Sequence, residues 1–128
     1  MPLTSHPFKL IRLWYALGAM LLLAVMVASL IPMPDDVGIS DKTGHLIVYL
    51  VLSGWFSLLA RNRFILGMSL LGLVLYGMLI ELLQGLTGYR FAEWGDVVAN
   101  SLGCALGALG YLPPLRRCFA VIDARLAR

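Results

Sequence analysis

Charge is scarce in this chain. Of its 128 residues only 13% are Asp, Glu, Lys or Arg, while 60% are hydrophobic and the mean hydropathy is +0.87. A soluble domain of this size exposes a large polar surface, and there is too little charge here to cover one. The net charge of +3 and pI near 9.1 could suit nucleic acid. The basic residues, however, are scattered and separated by long uncharged runs, which argues against a nucleic-acid groove. Cysteine is nearly absent. Cys104 and Cys118 are too far apart along a helix rising about 1.5 Å per residue to form a bridge. They show no metal-ligand spacing, and two unbridged thiols suit a reducing compartment. Neither H-E-x-x-H nor G-x-S-x-G occurs, so the usual zinc-hydrolase and nucleophile-elbow signatures are missing.

What is present is a set of long apolar runs. Four membrane spans are predicted, over 13–34, 43–60, 64–84 and 97–115, each close to the ~20 residues a bilayer requires. The first closes with Pro32 and Pro34, and the fourth with Pro113 and Pro114. None alternates apolar and polar residues as a membrane β-barrel must. The expectation is a single all-α domain over 1–128, an integral membrane four-helix bundle with short connections.

The basic residues predict an orientation. Lys9 and Arg12, then Arg61 and Arg63, then Arg116, Arg117, Arg125 and Arg128 fall at one side of such a bundle. The other side holds Lys42 and Arg90 against Asp35, Asp36, Asp41, Glu93 and Asp96. The positive-inside rule then puts both termini in the cytoplasm, in a bacterial cytoplasmic membrane. Lys9 and Arg12 followed by Val27-Ala28-Ser29 also resemble a signal peptide. The apolar stretch is longer than a usual h-region, so a retained helix is expected.

Residues 81–103 concentrate the polar side chains. Glu81 and Gln84 share a face at the end of one apolar helix, and Asp96 and Asn100 share a face at the start of the next. Arg90 lies in the link between them. Upstream, Asp41, His45 and Tyr49 recur every fourth residue beside Lys42. Each alone has an ordinary reading: Ser40 or Asp41 as a helix cap, His45 as an interfacial histidine satisfied by a carbonyl. Together they predict a polar pocket at the outer surface. The competing structural reading pairs Glu81 with Arg90 and lets Gln84 and Asn100 bond across helices.

Asp41-Lys42-x-x-His45-x-x-x-Tyr49, Glu81-x-x-Gln84, Arg90 and Asp96-x-x-x-Asn100-x-x-Gly103, in that order, resemble the signature of VanZ-like membrane proteins. The resemblance covers roughly residues 41–110. It implies a small multi-pass membrane protein connected with the cell envelope, in a family named for a protein linked to teicoplanin resistance. It supplies no reaction.

Three chemistries are open to these residues. As a binding module, Lys42 and Arg90 would hold an anionic group, with Tyr49, Gln84 and Asn100 lining the site. Tyr89, Phe91 and Trp94 would seat the link at headgroup depth. The expected ligand is a lipid head group or lipid-linked envelope precursor, with no cofactor. As an enzyme, Asp41, His45, Glu81 and Asp96 would perform acid–base chemistry, although Ser40 and Ser101 are isolated. As a metal site, His45 with Asp41, Glu81 and Asp96 offers one nitrogen and several oxygens. Zinc is disfavoured, a hard cation is conceivable, and anion binding ranks higher, so no resident metal is expected. Gly103 and Gly107 form a G-x-x-x-G, read first as packing against the second or third span and second as a homo-oligomer seam. Gly67, Gly72 and Gly77 recur every five residues and form no helical stripe.

Overall fold

The computed structural model describes residues 6–32 and 40–128. Asp35, Asp36 and the end of the first expected span lie outside them. All regular structure among the described residues is helical: α1 (Ile11–Leu30), α2 (Asp41–Leu59), α3 (Arg63–Leu86), α4 (Trp94–Gly107), a 3-10 segment (Ala108–Tyr111) and α5 (Pro113–Leu126). Helices α1, α2 and α3 are each long and apolar enough to cross a membrane. Their outer faces fit that environment, since Met20, Leu23, Phe64, Leu75 and Leu82 are all exposed. A helix apolar on every side, with large hydrophobic side chains facing outward, belongs in lipid rather than water.

Helix α2 is central and packs against α1, α3, α4 and the 3-10 segment. Its approach to α4 is made by glycine. A Cβ at Gly107 would lie 2.6 Å from backbone atoms of Leu50 and Gly54, and one at Gly103 would lie 2.5 Å from the Leu46 carbonyl. Gly110 faces the Gly54 carbonyl at the same 2.6 Å. The small-residue stripe is therefore filled by α2 of the same chain. Ser53 Oγ, fully buried in this seam, donates to the Cys104 carbonyl at 2.7 Å. In α3 Gly77 stands against Asn100 and Tyr49 and Gly85 against Ala92, while Gly67 and Gly72 meet nothing within 4 Å.

The fourth helix departs from the expected 97–115. It starts earlier, at Trp94, its α-helical part stops at Gly107, and a 3-10 turn carries the chain to Tyr111. The following prolines account for the stop: Leu112 precedes Pro113 and is extended (φ −61°, ψ 137°), as a pre-proline residue prefers. Pro113 and Pro114 then occupy the first positions of α5, where a missing N–H costs nothing. Residues expected to be a tail thus form a helix of their own.

Helix α5 folds back onto the start of α1. Asp123 is buried, and its carboxylate accepts from the backbone N–H of Lys9 (2.6 Å) and Leu10 (2.9 Å) and from Trp14 Nε1 (2.7 Å). It satisfies amides that the start of a helix leaves without partners. Phe119 packs edge-on against Phe8 and Trp55 and tilted against Trp14, closing a small apolar core with Leu59. His6 Nε2 meets the Leu59 carbonyl at 2.8 Å. The N-terminal segment, the end of α2 and α5 therefore lie at one end of the bundle, and the polar site lies at the other.

Candidate functional site

The site begins at the first turn of α2. Ser40 caps it, its hydroxyl accepting from the Thr43 N–H at 3.2 Å, and the cap sets Asp41, His45 and Tyr49 along the face turned toward α3 and α4. Helix α3 brings Glu81 and Gln84, both buried. Helix α4 brings Asp96 and Asn100, also buried. The Arg90 link folds over the top.

His45 is the meeting point. Its Nδ1 lies 2.9 Å from Asn100 Oδ1. Its Nε2 lies 3.7 Å from Asp41 Oδ1, 3.6 Å from Glu81 Oε1 and 3.8 Å from Asp96 Oδ2. The four residues nominated for acid–base work thus converge on one ring nitrogen, from three helices. Tyr49 sits one turn deeper. Its hydroxyl and Asn100 Nδ2 are buried, with no hydrogen-bond partner among the described residues, and both lie over Gly77: a Cβ there would be 2.9 Å from the amide and 3.1 Å from the hydroxyl.

The cations have chosen other partners than the sequence suggests. Arg90 does not reach Glu81. Its Nη2 contacts both Asp41 oxygens, at 3.0 and 3.1 Å, and its Nη1 donates to the Ser29 carbonyl at 3.3 Å. Glu81 is buried and turned to His45, and its Oε2 accepts the Glu93 backbone N–H at 3.3 Å. Lys42 pairs with Glu93 at 2.7 Å and stands 4.0 Å from Asp96 Oδ1. Gln84 Nε2 donates to the Ser29 carbonyl at 2.9 Å, so it and Asn100 both bond across helices.

Two residues outside the nominated set complete the site. Ser29, near the end of α1, gives its carbonyl to both Gln84 and Arg90, and Glu93 holds Lys42. A backbone carbonyl leaves no mark in a sequence. Glu93 was visible as an acid in the link, but its partner was not. Tyr89 adds a further tie to α1 through the Leu30 carbonyl, while Phe91 and Trp94 are strongly exposed.

A cavity of about 230 Å³ opens beside His45. Val25, Ala28 and Val48 line it together with Asp41, His45, Gln84 and Arg90, and most of its exposed surface is apolar. Glu81 lines a second cavity of about 230 Å³ on the far side, with Glu93, Trp94 and Val97. Around the site Asp41, Glu93 and Asp96 lie beside Arg90 or Lys42, while Glu81 faces His45.

No curated protein and no solved structure matches the chain. The family comparison fits helices long and apolar enough to cross a membrane. Residues 4–117 match the VanZ/LLP1 family, and the chain belongs to it.

Proposed function

We propose that the cavity beside His45 takes the polar head of an anionic lipid or lipid-linked envelope precursor. The observation that carries this reading is the lining of the cavity, where the apolar side chains of Val25, Ala28 and Val48 are joined by Arg90. An amphiphile offers the same pair of chemistries, an apolar chain and a charged head. Its chain would run along α1 and α2 toward the lipid, and its head would meet the guanidinium, whose planar fork suits phosphate or carboxylate.

Arg90 is the cation of this cavity. Lys42 is held by Glu93 and is absent from the lining. An arriving anion shares Arg90 with Asp41 or displaces it. Asp41 is half exposed while the Arg90 side chain is largely covered, so the anion meets the guanidinium from the side Asp41 leaves open to solvent.

The distribution of Lys and Arg supports a bundle whose termini lie in the cytoplasm and whose cavity opens outward. In a bacterial cytoplasmic membrane, that face is where lipid-linked cell-wall precursors are used. A cavity on that face would suit a role in the envelope, and membership of the VanZ/LLP1 family favours a link to the glycopeptide response. The test is the lipid content of the purified protein with and without Arg90.

A further inference from the structure

We infer that His45 Nε2 and the carboxylates of Asp41, Glu81 and Asp96 form a binding site for a divalent cation, with Mn²⁺ the best match to the donors. The site goes beyond lipid binding and does not depend on it, because all four donors belong to the chain.

The distances come first. Three carboxylate oxygens lie 3.6, 3.7 and 3.8 Å from Nε2. These are too long for hydrogen bonds, which fall at about 2.7–3.2 Å. They do suit ligands of one ion: donors held at about 2.0–2.4 Å from a metal lie roughly 3–4.8 Å from one another. The donor atoms of Asp41, His45 and Asp96 all lie within 4.8 Å of each other; Glu81 stands outside that trio and approaches it through His45 alone, its Oε1 3.6 Å from Nε2.

The histidine is turned for ligation. Nδ1 is engaged by Asn100 Oδ1 at 2.9 Å, which leaves Nε2 facing three carboxylates. Carboxylates gathered round one nitrogen repel one another unless a positive charge lies among them. A metal-bound histidine is commonly oriented in this way, its other nitrogen donating to an oxygen acceptor.

Glu81 supplies an independent observation. It is 4% exposed, and its Oε1, the atom facing Nε2, has no hydrogen-bond partner among the described residues. Its other oxygen is satisfied by the Glu93 N–H. A buried carboxylate oxygen without a donor is destabilising, and coordination removes that cost. Neither cation does this work: Arg90 binds Asp41, and Lys42 comes no nearer than 4.0 Å to Asp96.

The donors select the ion. Mg²⁺ and Ca²⁺ favour oxygen alone, and zinc favours nitrogen and sulfur. One imidazole with three carboxylates lies between, where Mn²⁺ accepts both.

The test uses the full-length protein, purified in detergent, treated with chelator and titrated with MnCl₂. Electron paramagnetic resonance should show one Mn²⁺ bound per chain, with a ¹⁴N coupling that His45→Gln removes. Glu81→Gln and Asp96→Asn, which keep side-chain volume, should each weaken binding more than about tenfold. Size-exclusion profiles identify any variant that fails to fold, and the ¹⁴N coupling of the unaltered protein then still decides. Absence of stoichiometric Mn²⁺, bound Mn²⁺ without a ¹⁴N coupling, or affinity unchanged in the folded carboxylate variants overturns the assignment. Lipid extracted from the same samples is measured separately, so loss of lipid and loss of metal are distinguishable.

Discussion

His45 Nδ1 and Asn100 Oδ1 meet at 2.9 Å across the seam between α2 and α4. This contact needs the two helix backbones close together, which Gly103 permits by standing directly against the Leu46 carbonyl. Glycine packing and site geometry are therefore one arrangement: the stripe that lets α4 approach also delivers Asn100 and Asp96 to the histidine.

Substitution of the glycines should separate those that pack from those that do not. Gly107→Val or Gly103→Val forces the seam apart and is expected to lower stability by at least about 1–3 kcal/mol, the usual cost of overpacking. Gly77→Ala should be harmful too, because the new methyl would meet Asn100 and Tyr49. Gly67→Ala and Gly72→Ala meet nothing within 4 Å and should raise stability by about 0.5–1 kcal/mol through backbone entropy. Thermal unfolding in detergent reads all of these.

Asp123 should act as a clasp between α5 and α1. Burial alone would raise its pKa, but hydrogen bonds from Trp14 and from the Leu10 and Lys9 amides outweigh that and hold it below the ordinary carboxylate range. A depressed folded-state pKa means stability that is fully present above the unfolded value of about 3.9 and lost as pH falls through the lower folded value. Asp123→Ala should cost about 1–3 kcal/mol at neutral pH. The gap between variant and parent should narrow below about pH 4. A gap that stays constant down to pH 2 would show that the charge plays no part.

Cys118 offers a natural reporter of orientation, since it is exposed on α5 while Cys104 is buried. In intact cells an impermeant maleimide should leave Cys118 unlabelled until the membrane is opened. Thr87→Cys in a Cys118→Ser background should label at once. The reverse pattern would put the His45 cavity in the cytoplasm.

Much of the fold was legible because lipid imposes a simple rule: apolar runs of sufficient length between basic and acidic links. Helices α2 and α3 begin and end within a few residues of the expected 43–60 and 64–84. The end of α4 was harder, because Leu112 looks like any other apolar residue until the following proline is weighed against the helix. Helix α5 was missed for a related reason. Its inward face is carried by Phe119, Ala120 and Asp123, and a lone acid among arginines gives no hint that it caps another helix. At the site, the side chains named from the sequence lie near one another and Gln84 and Asn100 bond across helices as expected, but the cation pairings differ. Arg90 went to Asp41 because a fold-back link decides its reach, and reach is a property of the tertiary structure.

The central claim is that the cavity beside His45 holds an anionic amphiphile through Arg90. Native mass spectrometry of the protein extracted in mild detergent tests it most directly. The protein should retain an anionic phospholipid or lipid-linked envelope precursor, and Arg90→Gln should lose it while the melting temperature changes by only a few degrees, as about 1 kcal/mol would. Equal retention by the Arg90→Gln protein, or retention of neutral lipid alone, would contradict the account.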